Sequence, residues 1–340
     1  MKAIKINEKY TIGENRVFVI AEIGSNHNQN LELAYETIDA AKEAGADAVK
    51  FQSIDVNKLY INPSKETIEL HKRIDLPEKW HYLLQDYCTK KDILFFSSPT
   101  YLESIDILEE LNTPIYKLAS AQIGTFPQLV EKVASLQKPT ILSTGLVNYG
   151  ELEKVVQIFE KAGNDKYIIL HCNSIYPTPF ERVHLPLMDT YKTMFDCIVG
   201  FSDHTTDIFA PIAAVARGAK VIEKHFAMSR SLPVPDAPFS LEPKELKQMI
   251  KGIRATEKML QPSVRLNIET EEQGFKSAIT TRLVLNKDKK KGDSLKEDDF
   301  VFRRNTEGIN CNALAFLLSN KKKYNTDIAK DDLLQNHHIS

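Results

Sequence analysis

Eight short apolar runs punctuate the first two thirds of the chain, each separated from the next by an amphipathic stretch. They are Val17 to Gly24, Asp47 to Ser53, Ile93 to Thr100, Ile115 to Ser120, Thr140 to Gly145, Tyr167 to Cys172, Cys197 to Asp203 and Val221 to Phe226. The stretches between them carry helical spacing. LELAYETIDAAKEAG follows Asn30, a suitable N-cap, sets Leu31, Ala34, Ile38 and Ala41 on one face, and stops at Gly45. GELEKVVQIFEKAG, from Gly150, repeats the shape and also ends in glycine. Eight βα units within about 230 residues predict a closed (β/α)8 TIM barrel, an α/β fold of about that size. An open doubly wound sheet is the alternative, but no GxGxxG turn follows any strand.

Nearly every run stays apolar until its C-terminal end, where it closes in groups that cost free energy to bury unpaired. Glu22 ends the first, with Asn26 and His27 just beyond; Lys50 and Gln52 end the second and Ser98 the third. Lys117 and Ser120 follow on the fourth, Ser143 and Thr144 on the fifth, and His171 and Asn173 on the sixth. Ser202, Asp203 and His204 end the seventh, and Glu223, Lys224 and His225 the eighth. A lone histidine or serine in such a place reads as a satisfied core group, whereas eight strands ending this way predict one shared cavity at the barrel mouth. A strand period of two lets Lys50 with Gln52, His171 with Asn173, Ser202 with His204 and Glu223 with His225 point inward as pairs.

Lys50 and Lys117 close apolar strands, so each ammonium needs an anion. Glu22 or Glu223 can supply it, or the two lysines with the hydroxyls of Ser98, Ser120, Ser143 and Ser202 can hold the phosphate and carboxylate of one substrate. Glu22 is the candidate general acid or base, and equally a counter-ion to the lysines. His204 and His225 fall on adjacent strands about 4.8 Å apart. They either bind one divalent cation and leave positions open for Lewis-acid chemistry, or hydrogen-bond to Asp203, Glu223 or the backbone.

Composition narrows the partners. The 340 residues carry a net charge of −2, which gives a nucleic-acid backbone no chain-wide attraction, so any anion site is local and a small molecule is expected. No run reaches the roughly 18 apolar residues of a membrane span, and the opening MKAIKINEKY lacks a signal-peptide core, so the chain reads as cytoplasmic. Cys88, Cys172, Cys197 and Cys311 are dispersed without a CxxC, as buried free thiols are. The basic pair Arg303 and Arg304 and the run Lys287 to Lys291 read most simply as exposed surface.

At the strand ends the chain resembles the sialic acid synthase family, which includes the synthases of neuraminic, legionaminic and pseudaminic acids. The matching segments are AEIGSNHN (21–28), AGADAVKFQ (44–52), YKLAS (116–120), STG (143–145), HCNSIYPTP (171–179), FSDHT (201–205) and IEKHF (222–226). From Thr280 to Ile309 the tail is similar to the start of the family's C-terminal antifreeze-like (SAF) domain. The resemblance implies a barrel over 1–262, a linker over 263–279 and a small β-rich SAF domain over 280–340. It also implies that phosphoenolpyruvate condenses with an open-chain N-acetylated hexosamine and water to a nine-carbon 2-keto acid, with phosphate leaving by C–O cleavage.

By the same resemblance, Lys50, Ser98, Lys117, Ser120, Ser143, Ser174 and Ser202 form the phosphoenolpyruvate-binding set, and His204 and His225 hold Mn2+ or Mg2+. Glu22 and Asp236 are the acids of the mouth, and Gln52, Gln122 and Tyr176 contact the sugar. Arg304 reaches the sugar from the other subunit of a domain-swapped homodimer. Three positions depart from the family pattern. Gln122 stands where a glutamate is usual and cannot take a proton, Thr100 replaces an aromatic, and Asp331 replaces a turn glycine. Two other readings compete: a phosphoenolpyruvate-condensing barrel acting on a sugar phosphate, for which the mouth shows no surplus of basic residues, and a non-catalytic relative that only binds sugar or phosphoenolpyruvate.

Overall fold

Residues that alternate between two buried faces build the centre of the molecule, in a computed structural model that describes residues 2–14 and 16–340. A short antiparallel hairpin, β1 (Ile4–Lys5) and β2 (Thr11–Ile12), comes first. Eight parallel strands follow: β3 (Phe18–Gly24), β4 (Ala48–Ser53), β5 (Leu94–Pro99), β6 (Tyr116–Leu118), β7 (Thr140–Ser143), β8 (Tyr167–Cys172), β9 (Ile198–Asp203) and β10 (Val221–His225). Their order, β5-β4-β3-β10-β9-β8-β7-β6, wraps the first strand against the last and leaves only the β5/β6 seam unladdered, so the sheet is a near-closed TIM barrel. Each predicted apolar run is one of these strands.

Side chains sort into two cores by parity. Phe18, Ile20, Ala48, Phe96, Ile141, Ile168, Leu170 and Val221 fill the barrel interior, and Ile4, Ile6 and Ile12 of the hairpin pack against them at the strands' N-terminal end. The alternate residues, Val19, Val49, Phe51, Phe95, Leu142 and Val199 among them, face the helices. The helix predicted after Asn30 spans Leu31–Ala44; Asn30 accepts the Leu33 N–H, and Gly45 closes it at φ 96°. The connection from Ser53 to Pro77 folds into helices Val56–Leu59 and Lys65–Ile74.

The chain divides into two compact units, Met1–Gln261 and Pro262–Ser340. In the second, the stretch expected as a linker holds a helix, Thr270–Ile279, whose first turn is fixed by the Glu272 carboxylate accepting the Glu269 N–H. Antiparallel β11 (Thr281–Leu285) and β12 (Phe300–Arg304) then cover a separate core of Leu283, Leu285, Phe300, Leu317, Tyr324 and Leu334. Among the described residues no helix is long and apolar enough to cross a membrane.

Candidate active site

Register brings the strand-end groups together. In parallel pairing Glu22 lies beside both Lys50 and His225, and Glu223 beside Ser202, so these side chains share the inner face. Lys50 Nζ sits 2.7 Å from Glu22 Oε2, donates to Ser98 Oγ at 3.2 Å, and lies 3.9 Å from Glu223 Oε1. Lys117 Nζ donates to the same Glu223 oxygen at 3.1 Å, as does the Ser202 hydroxyl at 3.1 Å. Gln52 Nε2 donates to Glu22 Oε1 at 2.7 Å. Two ammonium groups and two carboxylates, all buried, thus form a self-neutral quartet at the barrel mouth.

The quartet holds both signs of charge in place. Burial works to raise the Glu223 pKa, but Lys117 and Lys50 outweigh it and hold the carboxyl at about 2. Burial likewise pulls the Lys50 ammonium down, and Glu22 and Glu223 overcome it, so its pKa is raised. An anionic ligand entering here meets a Lys50 ammonium already charged. Around them stand groups with unused capacity: Ser143 Oγ, Gln122 Oε1 and Glu223 Oε2 are buried without a hydrogen-bond partner among the described residues. Ser120 and Ser174 pair through their hydroxyls at 3.0 Å, and Gln122 lies on the same short helix, Ser120–Ile123.

The His204 and His225 rings lie 5.3 Å apart between centroids. His204 Nδ1 is 2.6 Å from the Asn173 carbonyl, to which it donates, so Nε2 keeps its lone pair. Burial, then the neighbouring His225, lowers the His204 pKa to about 3 and keeps the ring neutral. His225 Nδ1 is buried and has no hydrogen-bond partner among the described residues, with Asp236 Oδ2 3.8 Å away. Of the two carboxylates named as alternative partners, Asp203 is bound to Lys224 and Thr205 on the outer face, and Glu223 makes no hydrogen bond to either imidazole among the described residues, its Oε1 being taken by Lys117 and Ser202. A backbone-oriented neutral imidazole beside an unsatisfied one fits a divalent cation. Among the described residues no cluster of three or more imidazole, thiol or carboxylate ligands forms, so His204 and His225 are the two side chains that would hold such an ion, with positions left open for Lewis-acid chemistry.

Tyr176 packs on His204 at 4.3 Å between centroids, and Phe239 stands edge-on to both imidazoles, giving the pair an apolar wall. Asp236 enters from the loop after β10, its Oδ2 accepting both the Ser25 N–H and the Ser25 hydroxyl. The first unit therefore collects the predicted Glu22, Lys50, Gln52, Ser98, Lys117, Ser202, His204, His225, Asp236 and Tyr176 into one contact network, with Ser120, Ser143, Ser174 and Gln122 at strand or loop ends of the same face. Arg304 belongs to the second unit, exposed on β12 opposite Thr281.

One expectation is corrected. His171 does not point inward with Asn173: Ile168 and Leu170 occupy the inner face, so His171 turns out to stack on Phe201 and bond the Val183 carbonyl. The residue that parity sends inward is Cys172, whose Sγ lies 3.9 Å from His204 Nδ1 and whose thiol is pushed up to about 11 by burial. Asn173 still serves, through its backbone carbonyl. Ser25 was also missed, because nothing in its spacing marks it. A cavity of about 570 Å3 lined by Lys2, Glu160, Asp165, Tyr167 and Asp196 contains none of the strand-end groups. Convergent buried charge places the chemistry at the mouth instead.

A parallel barrel whose strand ends converge on charged side chains is an enzyme of the TIM-barrel class, with its site at the C-terminal face. The model of the NeuB family matches residues 37–265. An N,N'-diacetyllegionaminic acid synthase of Campylobacter jejuni is 37% identical over 86% of this chain and 92% of its own. A pseudaminic acid synthase of the same species is 35% identical, over 95% and 96%. The crystal structure of an N-acetylneuraminic acid synthetase from Leptospira borgpetersenii, in complex with citrate, superposes with a TM-score of 0.74 at 35% identity, covering 81% of this chain and 95% of that one. The chain belongs to the NeuB family, and it is a synthase-type enzyme acting on small molecules.

Proposed function

We propose that the chain condenses phosphoenolpyruvate with an open-chain N-acetylated hexosamine, N-acetylmannosamine or a 2,4-diacetamido-trideoxyhexose, to a nine-carbon 2-keto acid and phosphate. The observation that carries this reading is the pair of buried lysines, ringed by hydroxyls, beside two imidazoles whose rings lie 5.3 Å apart. In this reading Lys50 and Lys117, with Ser98, Ser120, Ser143, Ser174 and Ser202, hold the carboxylate and phosphate of phosphoenolpyruvate. The arriving anion displaces Glu223 as the counter-charge of Lys117. Gln52, Gln122 and Tyr176 contact the sugar; Gln122 donates or accepts a hydrogen bond there but moves no proton. Glu22 and Asp236 are the groups placed to shift protons as C3 of phosphoenolpyruvate bonds to the aldehyde carbon, water adds at C2, and the C–O bond to phosphate breaks. Mn2+ or Mg2+ held by His204 and His225 supplies Lewis acidity at a carbonyl oxygen when bound.

The same reading makes the protein a cytoplasmic, domain-swapped homodimer in which the second unit is SAF-like and Arg304 serves the partner's sugar site. Its support is that the Arg304 side chain makes no hydrogen bond or ion pair among the described residues, although Arg303 beside it does. The test is phosphate release from phosphoenolpyruvate with each amino sugar, abolished by EDTA and restored by Mn2+. Binding of both ligands without release under any condition would instead favour a non-catalytic relative, and release only with a sugar phosphate would favour the other barrel synthase.

A further inference from the structure

We infer that Ser25 is a positioning residue that clamps the Asp236 carboxylate toward the sugar and away from His225. The inference rests on the reading that Asp236 faces the acceptor sugar. Its geometry begins at a tight turn. Gly24 adopts φ +51°, and the Asn26 N–H returns to the Ile23 carbonyl at 2.8 Å, which leaves Ser25 at the tip pointing across the mouth. A Cβ on Gly24 would fall 2.7 Å from Asp236 Oδ2, 3.2 Å from Glu22 Oε1 and 3.3 Å from Gln52 Nε2, so the turn is packed against the site on three sides.

From that tip the Ser25 backbone N–H and hydroxyl both donate to one oxygen, Asp236 Oδ2, at 3.1 and 2.8 Å. The next residue grips the same loop. Asn26 Nδ2 donates to Ser240 Oγ at 2.9 Å, and that hydroxyl donates to the Asp236 carbonyl at 2.6 Å. With Oδ2 occupied twice, Oδ1 is the oxygen left to accept from a sugar hydroxyl or amide. The competing position for the carboxylate is His225 Nδ1, 3.8 Å from Oδ2, buried and without a hydrogen-bond partner among the described residues. Remove the Ser25 hydroxyl and only one amide donor opposes that imidazole, so the carboxylate swings toward it and away from the sugar. Ser25 touches no substrate in this arrangement; it acts through Asp236.

The experiment compares wild type, Ser25→Ala, Asp236→Ala and the double variant by steady-state phosphate release, with thermal melting as the control for folding. Losing a hydrogen bond to a charged group is expected to lower kcat/KM for the amino sugar about tenfold in Ser25→Ala, while KM for phosphoenolpyruvate stays within about twofold. In the Asp236→Ala background the serine change is expected to cost nothing more. Full sugar kinetics in Ser25→Ala, an effect on phosphoenolpyruvate instead of sugar, or additive losses in the double variant would each overturn the clamp. Crystal structures of wild type and Ser25→Ala give a readout independent of turnover. Absence of phosphate release from the wild type with every sugar sinks the proposed reaction, yet the clamp still stands or falls on whether the Asp236 carboxylate moves toward His225 when the hydroxyl is gone.

Discussion

Removing the Lys117 ammonium takes from Glu223 its nearest counter-charge, at 3.1 Å, and leaves it Lys50 at 3.9 Å. The quartet then carries a surplus carboxylate where an anionic substrate has to bind. Lys117→Ala is therefore expected to lose phosphate release by at least about 100-fold, the scale of one removed charged contact in a desolvated site, while circular dichroism stays that of the wild type. Full activity in this variant would remove the lysine pair from the site.

His27 gives a different prediction from a similar burial. Its Nδ1 accepts the Gln29 N–H at 3.1 Å while the ring packs against Phe51 and Trp80. Protonating Nδ1 would turn that acceptor into a donor facing a donor. Burial lowers its pKa from 6.5 to about 4, with Asp236 opposing weakly. The unfolded chain therefore takes up a proton near pH 6.5 that the folded chain refuses until about pH 4. Stability from this residue is full above pH 6.5 and is lost as the pH falls toward 4. Urea unfolding at pH 7 and pH 5 is expected to show a smaller difference for His27→Gln than for wild type; an equal difference would assign the slope to other groups.

At the scale of the element, β9 and β10 carry Ser202, Glu223 and His225, with His204 one residue past the end of β9, so the separation of the two strands sets the site. Gly200 makes that approach close: a Cβ there would press on the Val221 carbonyl and on the Leu170 and Val221 side chains. Gly200→Ala is expected to cost about 1–3 kcal/mol in denaturant unfolding, as overpacked cores do, and to lower activity further than the stability loss explains. Wild-type stability and turnover would show that the two strands tolerate separation.

The strands themselves were legible because each apolar run ends in a polar group, and the helix from Leu31 because Asn30 and Gly45 cap it. The hairpin was not legible, since two strands of two residues leave no period to read. Parity failed at His171 for a physical reason. Both faces of a barrel strand are buried, so polarity alone does not tell inside from outside, and a cysteine took the inner position. Asp236 and Ser174 sit on loops, where no period reaches them, and only family resemblance pointed there. The link between Ser25 and Asp236 spans 211 positions and needed coordinates.

At the scale of the whole molecule, the second unit has its own core, and its β12 presents Arg304 with no partner among the described residues. If Arg304 serves the mouth of a second subunit, two defects in different units of the chain should repair each other across a dimer. Lys117→Ala spoils the site its own chain builds, and Arg304→Ala spoils the site of its partner. A mixed dimer then contains one site with both faults and one with neither. Co-expressed at equal levels with random pairing, the two chains are expected to recover about a quarter of wild-type phosphate release, because half the dimers are mixed and half their sites are whole. Each variant alone should stay near background. If Arg304 instead reached the site of its own chain, every site in every mixed dimer would carry a fault and no activity would return. An Arg304→Ala protein that is fully active by itself would remove the arginine from the reaction altogether, and the second unit would then need another reason to be attached.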